Sequence, residues 1–147
     1  MLYSLILLFF IMSGTNNPDK TRFLEYENSQ VLTTYQAPDI FYGTYKGARQ
    51  GFLTLNADGT GIYKYDYPVP GPDGCLEEEI AFIWGFIVDD AGKLVKFERE
   101  YGLSYPVIFS AEGNRGFQGC TKKAIIDYIQ HRKDGSMHVS SSDDWKK

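Results

Sequence analysis

Two histidines and one aspartate hold the densest donor chemistry in the chain. If Asp134-Gly135 is the two-residue loop of a type I′ hairpin, His131 stands directly opposite His138. Their Cβ atoms would then lie about 5 Å apart on one sheet face. Asp127, four residues before His131, shares that face. Two imidazoles and a carboxylate are the donors of an open zinc site. Asp127 is too distant along the strand for shared coordination, so an exposed cross-strand histidine pair is expected and no metal. A three-residue loop with a bulge would shift the register and leave His131 without its partner.

The other candidate chemistries fail on their spacing. Asn56-Ala57-Asp58-Gly59 superficially resembles a calcium loop. With Gly59 at the glycine position, though, Thr54 and Tyr65 fall where the first and last ligands belong. A hairpin turn is expected instead. Glu77-Glu78-Glu79 could attract a cation, but Glu78 points away from its two neighbours in a strand. A solvated strand entry that also discourages edge pairing is the simpler reading. No Gly-x-Ser-x-Gly is present, and no carboxylate pair is singled out by spacing. The chain is therefore expected to be no enzyme and to use no cofactor.

Aromatic residues offer the better candidate site. Trp84 and Phe82, with Tyr63, Tyr65 and Tyr67 on one face of another strand, could line a cavity or form a stacking platform. The competing reading is core packing, since small barrels are often filled by their own side chains. Cys75 and Cys120 are the only cysteines and lack any C-x-x-C or Cys/His pattern, so a disulfide between them is expected in an oxidising compartment.

The elements that must position these residues are strands. Residues 80–88, Ile-Ala-Phe-Ile-Trp-Gly-Phe-Ile-Val, form an uncharged run fenced by Glu77-Glu78-Glu79 and Asp89-Asp90. Its short length and its β-branched and aromatic content argue for a buried central strand. Alternation puts Ile80, Phe82, Trp84, Phe86 and Val88 on one face and Ala81, Ile83, Gly85 and Ile87 on the other. Both faces must be covered. From Phe41 onward the pattern is strand, glycine-bearing turn, strand, with Asn56-Ala57-Asp58-Gly59 as a hairpin signal. Residues 68–74 carry three prolines and two glycines and read as the one long loop. Further strands are expected over 93–101, 103–110, 115–122, 123–132 and 136–141. No helix-length segment separates them, which disfavours parallel βαβ topologies.

Eight or nine antiparallel strands in this order predict an up-and-down β-barrel, which removes the open edges. A two-sheet β-sandwich is the alternative. A membrane-spanning barrel is excluded because Leu94, Lys96, Glu98 and Glu100 would share one face, at a charge density unsuited to lipid.

The 147 residues suffice for one domain with a sizeable core. Fifteen Lys and Arg against nineteen Asp and Glu argue against nucleic acid or anionic lipid as partner. Residues 1–14 read as a signal peptide: Leu2 to Met12 is an apolar run too short to span a bilayer. The competing reading there is a buried N-terminal strand or helix. Residues 15–40 read as a linker, or as a short helix between Lys20 and Gln30, and 41–147 as the barrel domain. Export to the periplasm or the cell exterior follows from the apolar run and the cysteine pair, with no stable membrane insertion of the mature domain.

Gly43-Thr44-Tyr45 opening a strand, the run Leu53-Thr54-Leu55-Asn56-Ala57-Asp58-Gly59-Thr60 and the closing Trp145-Lys146 resemble the small lipocalin-like β-barrels of exported bacterial proteins. Tyr45 stands where that family usually has tryptophan. The resemblance implies a barrel able to hold a small apolar ligand and assigns no binding residue. The function expected is thus non-catalytic binding of a small apolar or aromatic ligand by Tyr63, Tyr65, Phe82 and Trp84. The alternative is a protein-interaction role, as an inhibitor or surface-assembly component acting through the loops.

Overall fold

The structure, a computed structural model, describes residues 20–47, 51–72, 75–139 and 145–146. The signal-like segment over 1–14 lies outside the described residues, as do the side chains of Tyr67, Glu77 and Trp145. The chain is all-β. Its strands are β1 (Thr21–Tyr26), β2 (Ser29–Thr34), β3 (Gly43–Lys46), β4 (Phe52–Leu55), β5 (Thr60–Pro70) and β6 (Leu76–Ile87). They continue with β7 (Phe97–Arg99), β8 (Gly102–Ala111), β9 (Ala124–Arg132), β10 (Met137–Val139) and β11 (Trp145–Lys146).

Every pairing is antiparallel. Seven strands, in the order β3-β4-β5-β6-β8-β9-β10, curve into a nearly closed barrel. The short β11 lies between β10 and β3. This is the expected up-and-down barrel, with consecutive strands as neighbours because glycine turns let the chain reverse at once. In three of those turns, Gly59, Gly92 and Gly135 take φ of +82°, +75° and +82°, a conformation that costs glycine little.

β6 is the organising strand, longer than the expected 80–88 run at its N-terminal end. Ile80, Phe82, Trp84 and Phe86 are fully buried in the barrel. The opposite face is covered only in part: Gly85 is buried under residues 20–34, Ile83 and Ile87 are half-buried, and Ala81 is exposed. Residues 20–34 form neither linker nor helix: β1 and β2 make a hairpin that pairs with the end of β6, Thr34 against Phe86. Alternation explains the correction. Arg22, Leu24, Val31 and Thr33 face inward while Thr21, Phe23 and Glu25 are exposed, and the β-branched residues favour a pleated backbone. Thr33 packs on Gly85, where a β-carbon would lie 2.3 Å from the Thr33 hydroxyl. Arg22 fastens the hairpin to the barrel: its guanidinium donates to the carbonyls of Gly59 and Trp84 and lies 4.8 Å over the Tyr35 ring.

Three further expectations change. β5 runs through Pro70, with Val69 opposite Glu77 and Pro70 opposite Leu76 after an irregularity beyond Lys64. β4 pairs with β5 only as far as Lys64, so the proline stretch is an edge, where a missing N–H is tolerated. Residues 93–101 form only the short β7 and a bridge between Leu94 and Val88. Pro106 explains the parting: β6 pairs with β8 from Ala111 back to Val107 and no further, because proline cannot donate to the ladder. Residues 115–122 are a tight turn, not a strand. Gln118, Gly119 and Cys120 have φ of 54°, 70° and 61°, and Thr121 Oγ1 closes the turn on the Gln118 carbonyl at 2.7 Å.

That turn has a purpose in the packing. Phe117 drops into the barrel, its ring 6.0 Å from Tyr63 and 6.1 Å from Phe82. At the Phe86 level, four residues away along β6, Phe41 enters from a 3-10 turn over Asp39–Phe41. Its ring stands 5.2 Å from Phe86 and 5.1 Å from Tyr105. The barrel is therefore plugged from both ends. The expected bond between Cys75 and Cys120 ties the Phe117 turn to the residue that precedes β6. Closing a loop of 45 residues stabilises by about 4 kcal/mol on the chain-entropy account.

Candidate functional site

The four aromatic residues singled out from the sequence do come together, but as core. Phe82 and Trp84 have no exposed surface, Tyr63 is buried and Tyr65 half-buried. Tyr63 and Tyr65 lie ring to ring at 4.5 Å, Phe82 meets Phe109 at 5.0 Å, and Trp84 meets Phe86 at 5.5 Å. A buried indole needs a partner for its N–H. Trp84 Nε1 donates to the Thr60 carbonyl at 2.9 Å, so its polar atom is already satisfied by the barrel wall. These side chains fill space a ligand would need.

The histidine pair does not form. Met137 stands opposite His131, and His138 opposite Gln130. The turn is the bulged form: Gly135 N donates to Arg132 O and Arg132 N to Ser136 O, both at 2.9 Å. Asp134 Oδ1 caps it by accepting from Ser136 N and Oγ at 2.8 and 2.5 Å, which holds the Asp134 carboxyl below its usual range. One extra residue puts the two imidazoles on opposite faces. His138 is buried, with Nε2 3.0 Å from Ser136 Oγ. Among the described residues no group of His, Cys, Asp or Glu could hold a metal ion. Asn56-Ala57-Asp58-Gly59 is the hairpin turn expected of it, with Asp58 Oδ1 accepting from Thr60.

Asp127 does share the face of His131, as expected, but His138 lies on the other face. Asp127 shares the barrel-facing side of β9 with Ile129, opposite Val107, and is buried. One oxygen accepts from Tyr128 N at 2.7 Å. Burial raises its carboxyl to a pKa of about 6, against which that single bond acts in the opposite direction.

The outward chemistry gathers at the end of the sheet where β7, β8 and β9 meet. A groove of about 520 Å³ there is lined by Glu98, Arg99, Leu103, His131, Arg132 and Lys133, with Gly102 and Gly135. Register builds it. Glu98 pairs with Leu103 and Leu103 with His131, making one row on the barrel-facing side. Arg99 pairs with Gly102 and Gly102 with Arg132, making the adjacent row on the opposite side. Each arginine is laid over an aromatic ring: Arg99 at 5.5 Å from Phe97, Arg132 at 5.9 Å from Tyr101. Phe97 in turn meets Tyr128 at 6.5 Å, and Phe97 and Tyr101 are 43% and 62% exposed. Exposed aromatic and arginine side chains in one patch are the composition of binding hot spots. No local motif marks these residues in the sequence, because the rows depend on the register of three strands.

No family model, curated protein or solved structure matches the chain.

Proposed function

We propose that this is an exported, non-catalytic interaction protein that recognises a partner protein on its outer surface, at the sheet end formed by the β7–β8 and β9–β10 turns. The observation that carries this reading is the filled interior: Trp84 and Phe82 are wholly buried between the Phe41 and Phe117 plugs. A barrel used as a container would leave such residues facing open volume. The disulfide supports export, since such bonds persist in oxidising compartments. The Phe97–Tyr101 patch and its two arginines support the choice of surface.

The test is site-specific photo-crosslinking in cells of the native host. A benzophenone side chain at position 101 is expected to yield one adduct of discrete mass. The same group at Ile62, an exposed position on β5, is expected to yield none. Equal adduct patterns from both positions, or none from position 101, contradict the reading.

A further inference from the structure

We infer that the Cys75–Cys120 bond is a gate: intact it holds Phe117 in the barrel, and its reduction by a dithiol opens a pocket beside Tyr63 and Phe82 for a small apolar guest. The inference is independent of the surface reading and concerns a second state of the interior. Three observations carry it. First, the bond sits beside the plug. Phe117 is wholly buried against Tyr63 and Phe82, and Cys120 follows on the same turn. The backbone bonds between Phe117 and Lys122, and that from Thr121 N to Phe117 O, lie within the turn and shape it. The disulfide ties it covalently to the loop between β5 and β6, where Gly71 N donates to Cys75 O at 2.6 Å.

Second, the turn is held in an unfavourable shape. Gln118 and Cys120 are left-handed, with φ of 54° and 61°, a conformation that residues other than glycine resist. Such backbone persists where its surroundings over-determine it. Here the turn is pressed on the loop: a β-carbon on Gly71 would lie 2.1 Å from the Gly119 carbonyl oxygen. The cost of two left-handed residues is comparable to what burial of one phenylalanine contributes. With the tie cut, the plugged and open arrangements lie close in energy, and a guest that fills the vacated space selects the open one. Third, both cysteines are only half-buried, so a dithiol reaches the bond while the barrel stays folded. One of its thiolates attacks a cystine sulfur, forming a mixed disulfide and expelling the other cysteine as thiolate. Its second thiolate then displaces the remaining cysteine. The dithiol leaves as a disulfide, oxidised by two electrons, and its two protons end on Cys75 and Cys120.

The experiment titrates benzene into the isotopically labelled full chain, disulfide-bonded or reduced with excess dithiothreitol, and follows the amide shifts of Tyr63 and Phe82. Saturable shifts are expected in the reduced protein and none in the oxidised one. The Trp84 amide, bonded to Gly59 O, is expected to keep its hydrogen-exchange protection on reduction. Gln118→Gly relieves one left-handed residue and so favours the plugged turn. The reduced variant is expected to bind benzene about tenfold more weakly than the reduced wild type. No benzene shifts on reduction, or equal binding by the oxidised protein, overturns the gate. Loss of Trp84 protection on reduction also overturns it, since the bond is then a staple for the whole barrel. Unchanged binding by reduced Gln118→Gly overturns it as well, because the left-handed turn would not be what drives the opening.

Discussion

Phe117→Ala is expected to destabilise the protein by about 3–5 kcal/mol, the range for truncating a buried phenylalanine. Phe117 is wholly buried and touches Tyr63 and Phe82, so its loss opens a void beside rings that are themselves fixed by other contacts. The polar cost of removing it is nil. The turn that carries it stays anchored through Cys120, which limits collapse into the void and places the expected loss toward the upper part of the range. An apolar void of that size takes up benzene. Denaturant melts of the variant should therefore shift toward the wild type when benzene is added, while the wild type shows no such shift. A loss below about 1 kcal/mol without benzene rescue would show that Phe117 is not the plug its contacts describe.

The second large effect is a gain. Asp127 titrates near 3.8 when exposed and near 6 in the fold. The folded state therefore holds the proton more tightly than the unfolded chain. Below about pH 4 the carboxyl is neutral in both states and costs nothing. Between about pH 4 and 6 the unfolded chain ionises first, and stability falls as pH rises. Above that window the penalty is constant at about 3 kcal/mol, two pKa units converted to free energy. Asp127→Asn removes the charge and keeps an oxygen for the Tyr128 N–H. The variant is expected to gain up to about 3 kcal/mol at pH 8, less the desolvation of its amide, and to lose the slope between pH 4 and 6. Denaturant unfolding of both proteins from pH 3.5 to 8 makes the check. Parallel curves would mean that Asp127 is not buried in the barrel.

Particular residues show what could be read before the structure and what could not. The central strand was legible because residues 80–88 are apolar at both parities and bounded by charge; the expected cover on both faces is complete only on the barrel side, since Ala81 is exposed and Ile83 and Ile87 are half-buried. The barrel followed from glycine turns and the absence of helix-length segments. The β1–β2 hairpin was hidden by its turn: Glu27 and Asn28 take φ of 47° and 64°, and neither is the glycine that normally marks such a loop. Asp134-Gly135 was ambiguous for a physical reason, since the same dipeptide serves a two-residue loop and a bulged one. Only tertiary register decides between them, and it separates His131 from His138. The Phe117 turn could not be foreseen, because Gln118 and Cys120 adopt a left-handed backbone that their residue types disfavour. The Arg99–Gly102–Arg132 row has no trace in the sequence, since it spans three strands.

The central claim is that the barrel is filled and that recognition lies outside it. Trp84 and Trp145 are the only tryptophans, so Trp145→Phe leaves Trp84 as the sole reporter at the centre of the core. Titrating that variant with retinol and with a series of fatty acids, at up to a tenfold molar excess (roughly the range a container of micromolar affinity would need), measures the interior directly. The account predicts no saturable change in Trp84 emission with any of them. A saturable change at stoichiometric probe would contradict it and return the aromatic residues Tyr63, Tyr65, Phe82 and Trp84 to the role of ligand site.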